Sequence, residues 1–423
     1  DTTPPSEPVV VIDEDANDDG LISEGELDGP VNATVELPAD AQPGDTLTVT
    51  DQDGNVLFDE PITQEQIDNG VSVEATPPAD GEPVEITAML TDPAGNESDE
   101  GTDAATVDLT APASPMVTIT EDANNDELIS DGELDGTVEA LVETPDAEIG
   151  DTLVVTDQTG AELFNGLVTQ DIIDNGVEVS AATPAEGEEA VVTATLTDPA
   201  GNESDPAMDK ATIDTTAPSE PVVVIDEDVN DDGLLSEGEL DGPVNATVEL
   251  PADAQPGDTL TVTDQDGNVL FDEPITQEQI DNGVLIEALP PADGQPVEIT
   301  ATLTDPAGNE SGEGVDSAIA DLTPPTSPTV TITEDANDDE LISIAVLVGT
   351  IVALVDAPDA QIGDTLIVTD QTGTELFNGP VTQDIIDNGI EVSATTPAEG
   401  EDVMVTATLT DPAGNVSDPA MDK

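Results

Sequence analysis

The sequence predicts an all-β chain of four tandem sandwich domains in an extended rod, and three observations predict it. The first is an internal repeat: Thr-Asp-Pro-Ala-Gly-Asn starts at Thr91, Thr197, Thr304 and Thr410, a spacing of 106 or 107 residues. Gly-Asp-Thr-Leu keeps the same register at Gly44, Gly150, Gly257 and Gly363, as does Asp-Asn-Gly at Asp68, Asp174, Asp281 and Asp387. The second is alternation: Val31-Asn-Ala-Thr-Val-Glu-Leu37 places an apolar side chain at every other position, as a half-buried strand requires. The third is a proline-bearing linker at each boundary, which divides the chain into 1–107, 108–213, 214–320 and 321–423. A longer period of 213 overlies this one, because residues 1–40 and 214–253 differ only at Pro4/Ala217, Ala16/Val229 and Ile22/Leu235. The order is therefore A-B-A-B, and the near-identity points to recent duplication.

Within the first repeat, β-branched and alternating runs predict strands near 9–12, 31–37, 46–51, 55–60, 71–75, 84–91 and 104–107. Turn signals such as Asp53-Gly54-Asn55 and Pro77-Pro78 separate them. Thr63 to Asn69, followed by Gly70, predicts a single helical turn. Seven short strands in about 100 residues suggest an Ig-like β-sandwich without the cysteine pair, tryptophan or tyrosine corner of antibody domains. Each repeat has one phenylalanine, Phe58, Phe164, Phe271 or Phe377, in an apolar context that predicts a core position.

Ninety-nine acids face only Lys210 and Lys423, for a net charge of −97. Nucleic acid and anionic membrane surfaces need a cationic face, so both are excluded as partners. Direct membrane insertion is not expected either, since no run approaches about 18 apolar residues. Such self-repulsion would favour disorder, yet 36% of residues are apolar and patterned as strands. A load of divalent cations reconciles the two. Histidine and cysteine are absent, leaving only oxygen ligands and no disulfides. That donor set selects calcium, several ions per chain, over zinc, copper or magnesium. It also leaves little for catalysis, because no histidine or cysteine is present to act as acid, base or nucleophile.

The candidate calcium ligands lie between the first two strands. Against the twelve-position EF-hand pattern, Asp15 stands at position 1, Asn17 at 3, Asp19 at 5, Gly20 at 6, the Leu21 carbonyl at 7, Ser23 at 9 and Glu26 at 12. Alternate residues of a tightly wound loop point inward to give a hard cation its oxygens, and the glycine permits the sharp turn. Flanking strands, in place of helices, exclude a true EF-hand domain. The third repeat preserves the pattern in full with Asp228, Asn230, Asp232, Gly233, Leu234, Ser236 and Glu239. The second has Asp122, Asn124, Asp126, Leu128, Ser130 and Glu133, with Glu127 in place of glycine, so a strained or altered geometry is expected there. The fourth keeps Asp335, Asn337, Asp339 and Ser343 but has Glu340 at position 6 and Val346 at position 12, and weak or no binding is expected.

The linkers are Asp1-Thr-Thr-Pro-Pro5, Asp108-Leu-Thr-Ala-Pro112, Asp214-Thr-Thr-Ala-Pro218 and Asp321-Leu-Thr-Pro-Pro325. Short and proline-stiffened, they read as semi-rigid spacers. Their leading aspartates suggest a second, interdomain calcium site, formed by Asp108 with Asp92 and Asn96, and in later copies by Asp198, Asp214, Asp305 and Asp321. Because the chain begins inside a linker motif, a piece of a longer protein is expected, in an extracellular setting where calcium is plentiful.

With these motifs in hand, the whole chain resembles the Ig-like extender modules of giant bacterial RTX-type adhesins. The resemblance rests on the repeat length, the Asp-Thr-Thr-Pro-Pro linkers, the Asp-Ala-Asn-Asp-Asp-Gly loop and Thr-Asp-Pro-Ala-Gly-Asn. It implies calcium-rigidified tandem sandwiches that hold an adhesive tip away from the cell, exported by a type I system. The fourth repeat departs from the pattern, since Ile344, Val346, Val348 and Val352 replace the acids Asp131, Glu133, Asp135 and Glu139. The leading expectation is a monomeric spacer whose partners are calcium and neighbouring repeats of the same chain. A calcium-dependent ligand-binding or cell–cell adhesion array is the alternative, and a glycan screen separates the two.

Overall fold

The computed structural model describes residues 2–240, 242–335, 341–342 and 349–423. Two compact units divide the chain, Asp1–Thr216 and Ala217–Lys423, each holding two repeats.

Repeat 1 sets the pattern for the others. Its strands are β1 (Val9–Ile12), β2 (Leu21–Ile22), β3 (Val31–Glu36), β4 (Thr46–Asp51), β5 (Val56–Pro61), β6 (Val71–Ala75), β7 (Pro83–Thr91) and β8 (Gly101–Val107), with helix α1 (Gln64–Asn69) between β5 and β6. One sheet has the order β1-β3-β6 and the other β2-β8-β7-β4-β5. The alternation read from the sequence is the alternation seen, with Val31, Ala33 and Val35 of β3 all turned into the core. Between the sheets lie Ile12, Ile22, Leu47, Ile86 and Leu90, all almost fully buried, each worth about 1.5–3 kcal/mol of burial. Phe58 is half-buried at the edge of that cluster. Each of the other three repeats has a corresponding apolar cluster of its own.

Helix α1 is the predicted single turn. Thr63 caps it in a capping box with Gln66, and Gly70 ends it at a φ of 78°, a left-handed conformation that suits glycine.

Two features of the sandwich differ from the sequence reading. β8 starts at Gly101, not near 104, because antiparallel pairing with β7 from Ala88↔Gly101 onward extends a stretch with little strand propensity of its own. An eighth strand, β2, lies inside the acidic loop and pairs parallel with the end of β8, through Leu21↔Thr106 and Ile22↔Val107. The chain thus leaves β1 in one sheet, crosses through the acidic loop to touch the other sheet, and returns to the first in β3. That crossing fixes the loop against the strand that leads into the linker.

Candidate calcium loops and the joint between repeats

In loop 1 the predicted ligands are held by the loop's own N–H groups. The Asp19 N–H donates to Asp15 Oδ1 at 3.0 Å and the Gly20 N–H to Asp15 Oδ2 at 3.0 Å. The Leu21 N–H donates to Asp19 Oδ1 at 2.8 Å, while the Asn17 amide donates to Asp19 Oδ2 at 2.8 Å. Glu26 accepts from the Ser23 N–H at 3.0 Å and from its hydroxyl at 2.9 Å. These bonds draw positions 1, 3 and 5 together and pin 12 to 9, yet a carboxylate has about four lone-pair sites, so acceptor capacity remains. Loop 3 repeats the geometry, with Asp228 accepting from the Asp232 and Gly233 N–H groups and Glu239 from Ser236, while Asn230 and Leu234 both bond Asp232. Among the described residues no three acidic side chains form a ready-made metal cluster.

Loop 2 has the same bonds: Asp122 accepts from the Asp126 and Glu127 N–H groups, Asp126 from Leu128 and Asn124, and Glu133 from Ser130. The replacement of glycine leaves this shape in place, and Glu127 instead takes the left-handed backbone itself, at a φ of 68°, where Gly20 has 82° and Gly233 has 76°. A side chain costs roughly 1–2 kcal/mol in that region. Glu127→Gly is therefore expected to stabilise repeat 2 by about 1 kcal/mol. A lower melting midpoint for the variant would contradict this account of position 6.

In the fourth loop Asp335 is buried, while Asn337, Asp339, Glu340, Ser343 and Val346 lie outside the described residues. The expectation of weak binding there is thus untouched by the structure. Of the four apolar replacements, Val352 is described; it is half-buried and its N–H donates to Glu334 at 2.9 Å.

The linker aspartates call for a correction. Asp92 follows β7 and Asp108 follows β8, and since these strands run antiparallel, the two residues lie at opposite ends of the hairpin. Seven residues of strand separate them by roughly 20 Å, at ~3.3 Å per residue. Asp92 and Asn96 bond each other, with the Asn96 amide donating to Asp92 Oδ2 at 2.7 Å. Asp108 instead meets the following repeat: its carbonyl accepts from Asn202 Nδ2 at 2.9 Å. The Asn202 Oδ1 accepts from the Glu24 N–H of loop 1 at 2.9 Å. The second unit reproduces this joint, for Asn415 donates to the Asp321 carbonyl at 2.7 Å and accepts from the Glu237 N–H at 2.8 Å. Asp305 holds the matching turn of repeat 3 through Asn309, and the Asp214 N–H donates to the Ile129 carbonyl, as the Asp108 N–H does to Ile22.

The sequence reading missed one acidic position. Asp151 is buried beside the joint in unit 1, and burial pushes its carboxyl above the usual range, reinforced by the charges of Asp198, Glu148 and Asp108 against a hydrogen bond from the Glu148 N–H. Its counterparts Asp258 and Asp364 are buried too; Asp258 is raised by burial and then by Asp305 and Asp253. Burial, followed by Asp411, Asp293 and Asp364, raises Asp321. The clue was present, since Asp151, Asp258 and Asp364, with the equally buried Asp45, occupy the recurrent Gly-Asp-Thr-Leu. The turn aspartates behave oppositely: side-chain hydrogen bonds hold Asp92 down through Asn96, Asp80 through Thr110 and Asp157 through Thr159.

From these two sets a stability optimum in mild acid is expected for the metal-free protein. A carboxyl raised in the fold contributes stability that is complete below its unfolded value of about 3.9 and is lost as pH rises through the folded value. A depressed carboxyl contributes stability above about 3.9 that is lost as pH falls through its folded value. In chelator, the melting midpoint is expected to climb as pH drops from 7 toward about 4 and to fall below it. A steady decline on acidification would contradict the burdened joint. Few cations relieve the repulsion: Lys210 pairs with Glu189 at 2.8 Å, and with both side chains largely exposed the pair adds little.

No protein-family profile and no curated protein matches the chain. Among solved structures it is similar to a bacterial ice-binding adhesin of 1.5 MDa, at 19% identity over 76% of this chain and 100% of the other, with a TM-score of 0.32. A tetra-tandem repeat from the extending region of a large adhesion protein matches at 19% identity over 98% of both chains, with a TM-score of 0.27. Fibronectin(III)-like modules of Clostridium thermocellum CbhA match at 12% identity over 49% of this chain and 95% of theirs, with a TM-score of 0.31. The assignment of Ig-like sandwiches rests on the chain's own sheets.

Proposed function

We propose that the chain is a calcium-rigidified extender segment of a large cell-surface adhesin, which spaces a distal adhesive tip from the bacterial surface. The observation that carries this reading is the joint itself. In each unit the same amide ties one repeat's acidic loop and linker to the next repeat's turn. The linkers are strapped down as well, with the Leu109 N–H and Thr110 hydroxyl donating to Asp80 and the Thr215 hydroxyl to Glu186. A chain meant for reach needs repeated joints of one geometry, whereas a chain meant for recognition needs a surface that differs from its neighbours.

Calcium is the ion that the donors fit. The loops offer carboxylate, amide, hydroxyl and carbonyl oxygens at the alternate positions that a hard cation takes. Asp15, Asn17, Asp19, Leu21, Ser23 and Glu26 would hold it in loop 1, with their equivalents in loops 2 and 3. At the joints, Asp108, Asp151 and Asp198, and likewise Asp321, Asp364 and Asp411, crowd charge that a divalent cation would offset. Calorimetric titration of the chelated protein is expected to show at least one calcium for each of loops 1–3. An absence of calcium-dependent heat would refute the reading.

A further inference from the structure

We propose that Asn202 and Asn415 are positioning residues that couple calcium loading of the preceding loop to the orientation of the following repeat. The inference rests on the calcium reading of the loops and deepens it by naming how the metal would reach the joint. Asn202 uses its whole amide: Nδ2 donates to the Asp108 carbonyl at 2.9 Å and to Asp198 Oδ2 at 2.8 Å, and Oδ1 accepts from the Glu24 N–H at 2.9 Å. Asn415 does the same with Asp321, Asp411 and Glu237 at 2.7, 2.9 and 2.8 Å.

The chemistry of the position is exacting. Two acceptors and one donor surround the side chain, so aspartate would set an oxygen against the Asp108 carbonyl and the Asp198 carboxylate, and alanine would take from the part-buried Glu24 N–H its acceptor. Asn202 and Asn415 are each 5% exposed. In repeat 1, Ala94 of the corresponding turn is exposed and Asn96 half-buried, while Ala200 in the joint is 3% exposed. The turn is the same, and its burial comes from the joint.

What the amide grips belongs to the loop. Glu24 lies between Ser23 at position 9 and Glu26 at position 12, and the Asp108 N–H donates to the Ile22 carbonyl just before them. Any closure of Glu26 and Ser23 on a cation therefore acts on the backbone that Asn202 holds. Conversely, a seated Asn202 fixes that backbone and lowers the entropy left for the ion to remove. Coupling of this kind is reciprocal and is typically worth a factor of about 5–150 in affinity.

The chain has no cysteine, so spin labels can be placed on the full chain at Glu65→Cys in repeat 1 and Glu178→Cys in repeat 2, both exposed. With calcium, the distance distribution between them is expected to be narrow. Asn202→Ala is expected to broaden it and to weaken calcium binding at one site by at least about fivefold, with the other sites unchanged by calorimetry. Asn202→Asp, which keeps an acceptor but loses the donor, is expected to fail in the same way, and Asn415→Ala to repeat the affinity loss in the second unit should the first variant fold poorly. Broadening with unaltered affinity would make the amide a mechanical pin and overturn the coupling. A variant identical to the parent in both readouts would overturn the role altogether. If the unsubstituted chain takes up no calcium, the loops themselves have been misread, and that result appears before any variant is made.

Discussion

Chelating calcium is expected to lower the melting midpoint of the chain by about 10–20 °C at neutral pH. The estimate follows from linkage: an ion at a hundred times its dissociation constant stabilises the state that binds it by about 2.7 kcal/mol per site, and 1 kcal/mol moves a domain of this size by roughly 4–8 °C. The effect should fall on repeats 1, 2 and 3, whose loops keep a carboxylate at position 12, and least on repeat 4, where Val346 replaces it. Desolvated carboxylates such as Asp151 at the joint add to the loss, because without a cation their mutual repulsion stands. Differential scanning calorimetry with and without chelator measures this directly. A shift of less than a few degrees would mean that the loops are held by their own N–H groups alone.

Leu47→Ala is expected to destabilise repeat 1 by about 2.7–5 kcal/mol and to split the melting transition. Leu47 is 0% exposed, at the centre of a cluster formed wholly within residues 10–107. Truncation leaves a cavity that the β-sheets on either side are poorly placed to close. Because each repeat buries its own cluster, the loss should stay local, and a fraction near one quarter of the heat should move to lower temperature. A uniform shift of the whole transition would show instead that the repeats fold as one cooperative body.

Much of the sandwich was legible because a strand with one wet face writes itself as alternation, and Val31–Glu36 matches its predicted span to one residue. β2 was not, since Leu21 and Ile22 are two residues within a polar loop and become a strand only by pairing with Thr106 and Val107, far along the chain. Gly101 likewise has no strand propensity and is drawn in by Ala88. The loop ligands could be read one by one because their spacing is local. The joint could not, because four copies carry the same turn and nothing local says which copy Asp108 meets. The antiparallel order of β7 and β8 carries that information, placing Asp92 at the far end and leaving Asn202 as the partner. Asp151 was overlooked for a related reason: its burial depends on the fold around it, while its motif served only to mark the repeat.

The measurement that tests the central claim most directly is small-angle X-ray scattering of the chain in millimolar calcium and again after chelation. The account predicts a stiff, elongated particle in calcium that becomes flexible, shorter or unfolded in chelator, and recovers when calcium is restored. An unchanged scattering profile would contradict it, reducing the acidic loops to solvated turns and moving the ligand-binding array to the front.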